Sequence, residues 1–250
     1  MQHRKLSAES GFTLPELLIA LSIALIVSFA TFSLIEVAMR RAGDTENRVK
    51  SAQQGRMAMD TVVRQLRSQV CLNTANPTPP MSPPSGFGTV TSGTTAVFYT
   101  DFTDAGKPTT VAPELHVLTY DDTTHRLIER DYKGTVQLVT NVYTYTYPTA
   151  ASTPARTKVL AENIVPLTGV PVFQYYTYNT ATPPRPDLVL PAPATGMAAT
   201  DTARVARIVI NFRALTTSSL TNLTGSSVFQ DEVTVRAADP NDEAPTPTCA

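Results

Sequence analysis

A run of nineteen uncharged residues near the N-terminus constrains this chain more than any other feature. The run extends from Leu17 to Ile35 and is closed by Glu36. At about 1.5 Å of rise per residue it would form a helix of about 28 Å, which matches the hydrocarbon core of a bilayer. The sequence therefore predicts a membrane-spanning helix near the N-terminus.

Pro15 and Glu16 stand at the entrance of this run, where an uninterrupted membrane helix should contain neither residue. An internal proline removes a helical hydrogen bond, and a carboxylate at a membrane boundary is costly without a partner. Both are explained if the chain is cut between Gly11 and Phe12, because Pro15 then lies in the first turn, whose N–H groups have no helical partner. The cut also creates an α-amino group at Phe12, which could pair with Glu16 of a neighbouring chain.

The segment Gly11-Phe12-Thr13-Leu14-Pro15-Glu16, with Arg4 and Lys5 before it, resembles the class III leader of type IV pilins and pseudopilins. The resemblance implies that a prepilin peptidase cleaves after Gly11, that Phe12 is N-methylated and that Glu16 aligns subunits during assembly. It also implies an inner-membrane protein with a cytoplasmic N-terminus before assembly, whose partners are other pilin subunits and an inner-membrane assembly platform. The alternative is an ordinary signal anchor whose sequence matches this motif by chance.

The amphipathic pattern after the apolar run indicates that the helix continues into the next part of the chain. Apolar residues at positions 59, 62, 63, 66 and 70 form one stripe at helical spacing. We therefore expect one helix from about Thr13 to about Val70, with Gly43 and Gly55 as candidate points of bending.

We divide the chain by composition and pattern. The segments are a leader (1–11), a membrane or filament-core helix (12–36), its amphipathic continuation (37–72), a Pro/Ser/Thr-rich loop (73–95), a β-rich globular domain (96–238) and a polar tail (239–250). The first loop is expected to be exposed, because its composition offers little to bury. A second loop is expected at 180–202.

Alternating and β-branched stretches predict a run of strands in the globular domain. They lie at 95–102, 116–120, 126–132, 136–147, 158–167, 170–179, 204–215 and 228–236. A helix followed by such strands predicts an α+β fold in which an antiparallel sheet packs on the amphipathic half of the helix. The segments around residues 159–164, 173–176, 207–210 and 233–236 are similar to the PilW-like larger minor pilins and the J-type minor pseudopilins.

The two cysteines, Cys71 and Cys249, could form a disulfide if the globular part lies outside the cytoplasm. Two free thiols are the alternative, because sequence alone does not show that they are close.

Residues with metal or catalytic potential are few. His116 and His125 could face each other across a hairpin, but two imidazoles without further ligands make a weak zinc site, and exposed strand histidines are the simpler interpretation. Asp239, Asn241, Asp242 and Glu243 could hold calcium, although their spacing departs from the usual loop and favours a solvated tail. We expect no cofactor, no small-molecule substrate and no enzymatic activity, since no recognisable nucleophile arrangement is present.

Two classes of function remain after these exclusions. The first is a structural minor pilin or pseudopilin that enters, primes or caps a type IV pilus-like filament. The second is an adhesin or DNA-binding subunit carried by the filament, in which exposed tyrosines or arginines would bind the ligand. The tyrosines concerned are Tyr143, Tyr145, Tyr147, Tyr175, Tyr176 and Tyr178, and the arginines are Arg204, Arg207 and Arg213. A formal charge of −1 does not indicate a nucleic-acid partner, and we expect none.

Overall fold

The computed structural model describes residues 13–72, 78–100, 112–139, 142–216 and 225–235. The chain divides into two compact units, residues 1–47 and 48–250. Helix α1 (Leu14–Arg67) makes up almost all of the described part of the first unit and ends in the second. It ends three residues before the predicted position, since Val70 already donates its N–H to the carbonyl of Tyr99.

The described residues of the second unit form short strands and one further short helix. These are β1 (Thr95–Thr100), β2 (Glu114–Asp121), β3 (Arg126–Tyr132), β4 (Thr135–Val139), β5 (Val142–Thr146), β6 (Arg156–Ala161), β7 (Ile164–Val165), β8 (Phe173–Thr177), β9 (Leu188–Leu190), α2 (Ala199–Thr202), β10 (Arg207–Ala214) and β11 (Ser227–Thr234).

The strands form three antiparallel sheets. The first sheet has the order β1-β2-β3-β6, the second has the order β11-β10-β8-β9 with β7 also paired to β10, and β4 and β5 form a separate hairpin. A long N-terminal helix followed by antiparallel sheets is the predicted α+β architecture, and it is consistent with the pilin fold.

The second half of α1 packs into the main hydrophobic core. Val62 and Leu66 are fully buried there with Phe98 from the first sheet and Phe212 from the second. Burying a side chain of this size stabilises a fold by about 1.5–3 kcal/mol. The predicted stripe thus faces both sheets, as an amphipathic helix should.

The loop 73–95 differs from its prediction, because much of its described part is packed rather than exposed. Met81 joins the main core, and Phe87 joins a second core on the opposite face of the first sheet, with its ring 5.1 Å from that of Tyr132. The carbonyls of Pro80 and Phe87 accept hydrogen bonds from Tyr99 and Ala150. A few large apolar residues and these backbone bonds are enough to hold a segment without regular structure.

Three other expectations need correction. The single strand expected at 136–147 is the hairpin of β4 and β5, and the strand expected at 158–167 breaks into β6 and β7. The break falls at Asn163, whose φ of 54° is a left-handed conformation that asparagine tolerates. The loop expected at 180–202 contains β9 and α2.

Candidate functional site

The entrance of α1 has the geometry of a true helix start. The N–H of Leu17 donates to the carbonyl of Thr13 at 3.1 Å, which places Pro15 and Glu16 in the first turn. Pro15 there removes no helical hydrogen bond. The Glu16 carboxylate lies beside the positive end of the helix dipole, which favours a negative charge. Gly11 and Phe12 lie outside the described residues.

The apolar run is exposed along its length, and two of its hydroxyl groups are hydrogen-bonded to the backbone of the helix itself. Ser22 and Thr31 each donate a hydroxyl hydrogen bond to the carbonyl four residues earlier, at 2.9 and 2.7 Å. Such bonds let hydroxyl groups lie in an apolar medium. Within the described residues, α1 is long and apolar enough to cross a membrane, with a mean hydropathy of 2.5 over its best window.

A second group of interest is a buried cluster of charged side chains on the first sheet. His116 of β2 is paired in register with Asp131 of β3, and Glu129 lies two residues away on the same face. Nδ1 of His116 is 3.1 Å from Oε1 of Glu129 and 3.0 Å from Oδ1 of Asp131, and the three side chains are at most 4% exposed. Sequence reasoning did not identify either carboxylate.

Neighbouring elements complete the cluster. Arg156 of β6 donates from Nε to Oδ2 of Asp131 at 2.5 Å, and its second nitrogen is 3.6 Å from Glu129. Gln65 of α1 donates from Nε2 to Oε1 of Glu129, which joins the end of the helix to the sheet. The ring of Phe98 stacks on that of His116 at 5.7 Å.

Electrostatics in this cluster favour positive charge on His116. Burial lowers the pKa of His116, but hydrogen bonds and charge interactions with Asp131 and Glu129 outweigh it and raise the pKa to about 9. Burial also raises the pKa of Asp131, and His116 and Arg156 reverse that effect and hold it below its ordinary value. Asp131 therefore needs its cationic neighbours to remain charged in the core.

The prediction that His116 and His125 face each other is wrong, and so is the interpretation of His116 as an exposed strand residue. His116 is 1% exposed and lies opposite Asp131. His125 belongs to the connection between β2 and β3, has a φ of 53°, and lies 3.1 Å through Nδ1 from the hydroxyl of Tyr120.

Two of the three arginines considered for DNA binding, Arg207 and Arg213, are engaged within the second sheet. Arg207 lies over the ring of Tyr176 at 4.3 Å and pairs with Glu232 at 2.9 Å. Arg213 donates to the hydroxyl of Ser226 at 3.0 Å, and Arg204 is half-buried. These contacts leave little of the guanidinium groups for phosphate recognition.

The six tyrosines considered for ligand binding are buried or half-buried. The hydroxyl of Tyr175 donates to the carbonyls of Ser92 and Thr95, and that of Tyr147 donates to Pro113. Tyr145 packs beside the second core. The observed role of Tyr145, Tyr147 and Tyr175 is packing and hydrogen bonding within the domain.

Two other predicted sites fall wholly or partly outside the described residues. Cys71 is not a free thiol, whereas Cys249 lies in the undescribed C-terminal part, so their pairing stays a prediction. The calcium set at Asp239, Asn241, Asp242 and Glu243 lies outside the described residues as well.

Comparison with known proteins identifies the N-terminal feature. The family model of the prokaryotic N-terminal methylation motif matches residues 6–31, which include the second half of the expected leader, the expected cleavage position and most of the apolar run. The match supports a type IV pilin-like protein with a class III prepilin leader. Pilin-like proteins of pilus and pseudopilus systems are structural, membrane-anchored subunits rather than enzymes. The same comparison found no curated protein and no solved structure with significant similarity.

Proposed function

We propose that the protein is a minor pilin or pseudopilin that is built into, primes or caps a type IV pilus-like filament. The observation that carries the proposal is the methylation-motif match at residues 6–31 on a helix whose first turn contains Pro15 and Glu16. A prepilin peptidase releases the leader, the inner-membrane platform receives the helix, and the domain lies outside the cytoplasm. The filament belongs to a pilus, a type II secretion system or a competence apparatus.

The size of the globular domain favours a place at or near the filament tip, where neighbours crowd a subunit least. The two long loops support a position at the tip less strongly than their sequences suggest. Much of the loop 73–95 is folded against the domain, and the loop 180–202 contains β9 and α2, so neither would project far into a filament shaft.

The alternative, an adhesin or DNA-binding subunit, receives less support. The tyrosines that would form a binding surface pack within the domain, and Arg207 and Arg213 have partners in their own sheet. Salt-sensitive binding of duplex DNA by the purified protein would favour the alternative, because phosphate contacts weaken steeply as salt increases.

The test is the N-terminus of the mature protein in membrane and sheared-filament fractions. Mass spectrometry should find Phe12 as the first residue, with the mass of one N-methyl group added. A Gly11→Leu variant should keep Met1, remain in the membrane and be absent from filaments. Recovery of the wild-type chain in filaments with Met1 intact would contradict the proposal.

A further inference from the structure

The buried cluster on the first sheet brings three potential metal ligands together. Ligand atoms of His116, Glu129 and Asp131 all lie within 4.8 Å of one another. Nδ1 of His116 and Oδ1 of Asp131 are 3.0 Å apart, close to the separation of about 3.4 Å for two ligands at about 2.1 Å in a tetrahedral site. Only a small expansion would bring a metal ion between them.

The hydrogen bonds of the two carboxylates point to a cation. Oδ2 of Asp131 accepts from Arg156, and Oε1 of Glu129 accepts from Gln65. Of the other two oxygens, Oε2 of Glu129 is buried and accepts no hydrogen bond from the described residues, and the buried Oδ1 of Asp131 faces only Nδ1 of His116 among them, at 3.0 Å. A buried acceptor that receives no hydrogen bond destabilises the fold by about 1–3 kcal/mol, and by more if the group is charged. One oxygen of each carboxylate is thus held by a hydrogen bond, and the other is available to bind a metal ion.

The outer contacts resemble those that orient metal ligands in general. A ligating imidazole usually has its second nitrogen beside a carboxylate or carbonyl, and ligating carboxylates are themselves hydrogen-bonded. Nε2 of His116 is 3.6 Å from Oε2 of Glu114. Arg156 and Gln65 hold the two carboxylates. Oε1 of Gln65 is a further buried acceptor without a donor among the described residues, which makes it the candidate for a fourth ligand.

The types of ligand indicate which metal ion would suit the cluster. A mixed set of one imidazole and two carboxylates suits Zn²⁺ better than Ca²⁺ or Mg²⁺, which prefer oxygen ligands alone.

We propose that Nδ1 of His116, Oε2 of Glu129 and Oδ1 of Asp131 bind one Zn²⁺ ion in the globular domain. The ion would tie β2 and β3 to α1 through Gln65. Such a site is structural, and it goes beyond the proposed place of the chain in a filament.

The experiment uses full-length protein in detergent, purified without a polyhistidine tag and stripped with a chelator. Titration with ZnSO₄ at pH 8, followed by gel filtration and elemental analysis, should give one zinc per chain and an increased melting temperature. Affinity should fall about 100-fold or more in His116→Gln and Asp131→Asn, which lose a ligand. His125→Gln is the matched control and should bind as the wild type does. CaCl₂ and MgCl₂ should not replace zinc.

A separate readout covers the case in which a ligand variant fails to fold, as judged by circular dichroism. Wild-type protein loaded with Co²⁺ should show the intense visible bands of a tetrahedral site, and Zn²⁺ should abolish them. Absence of both zinc uptake and these bands at pH 8 would overturn the proposal and leave a proton on His116 as the cation. Full zinc uptake by a folded His116→Gln variant would also overturn it, because zinc would then be bound elsewhere.

Discussion

Arg156 and Arg126 make chemically similar ion pairs beside the first sheet, but their partners differ in burial. Arg156 contacts Asp131, which is 4% exposed, whereas Arg126 contacts Glu162, which is 49% exposed. We expect Arg156→Gln to lower the free energy of unfolding by about 1–3 kcal/mol, because a buried carboxylate loses a charged donor. Urea unfolding of the metal-free protein measures the change.

The matched control is Arg126→Gln, which removes a guanidinium from the same sheet. The change should cost less than about 1 kcal/mol, since exposed ion pairs contribute little. Equal losses in the two variants would show that burial of Asp131 does not determine the effect.

Part of the charge cluster could have been found from the sequence. The strands predicted at 116–120 and 126–132 imply a hairpin, and a pairing of Asp121 with Arg126 places His116 opposite Asp131 five residues further along. The prediction for the two histidines failed because His125 lies in the turn between these strands and not opposite His116. Arg156 and Gln65 could not have been found in this way, because their positions depend on the packing of β6 and α1 against β3.

At Gly55, α1 lies close against the second sheet. A Cβ atom added there would overlap Cε2 of Phe229, whose ring stacks on Phe212 at 5.5 Å. Gly55→Ala should therefore destabilise the domain by about 1–3 kcal/mol despite the better helix propensity of alanine. Thermal unfolding measures the loss, and Phe229→Leu in the same chain should restore part of it by removing the ring.

Gly43 provides the control within the same helix. Among the residues that the structure describes, none lies within 4 Å of an added Cβ at this position, so Gly43→Ala should be neutral or should stabilise the helix by up to about 1 kcal/mol. If Gly55→Ala were equally harmless, the close packing of Phe229 on α1 would be refuted.

Elements with strong, uninterrupted periodicity were predictable, and those that depend on tertiary contacts were not. The stripe at positions 59–66 predicted the buried face of α1, and β3 spans Arg126–Tyr132 as predicted. The division between β6 and β7 at Asn163 and the pairing of β9 with β8 had no clear local signal. Packing of Met81 and Phe87 was missed because a Pro-rich composition was taken to mean exposure.

At the scale of the whole molecule, a Cys71–Cys249 disulfide would join the end of α1 to the C-terminal tail. Cys71 is not a free thiol. It lies between Val70 and Leu72, whose backbone groups are hydrogen-bonded to those of Tyr99 and Thr78, respectively. By the chain-entropy estimate, so long a closed loop would stabilise the fold by about 5 kcal/mol.

We expect no alkylation of exported, denatured protein by iodoacetamide unless a reductant is added first. After reduction, two alkyl groups should be found by mass spectrometry. The Cys71→Ser and Cys249→Ser variants should each melt at a lower temperature than the wild type. Alkylation of both thiols without reduction would refute the bridge.

The position of Glu16 connects the fold to assembly. Its carboxylate lies in the first turn of an exposed, apolar helix, and lateral association would bring it to the Phe12 amine of an adjacent subunit. In a medium of low dielectric such a pair attracts strongly, and even about 1.4 kcal/mol changes an association constant about tenfold. Glu16→Ala keeps the helix apolar, so membrane insertion and leader cleavage should continue.

The Glu16 variants should differ in how efficiently they assemble. Assembly is measured as the ratio of protein in sheared filaments to protein in membranes. We expect Glu16→Ala to lower this ratio about tenfold or more, and Glu16→Asp to be intermediate, because the charge remains on a shorter side chain. Glu36→Ala is the control at the other end of the apolar run, where Glu36 pairs at 2.5 Å with Arg40 of its own chain, and it should assemble normally.

Equal recovery of Glu16→Ala and the wild type along the shaft, located by immunogold labelling, would refute the role of Glu16 in subunit alignment. Equal recovery confined to filament tips would instead mark a cap, in which no subunit above needs this contact.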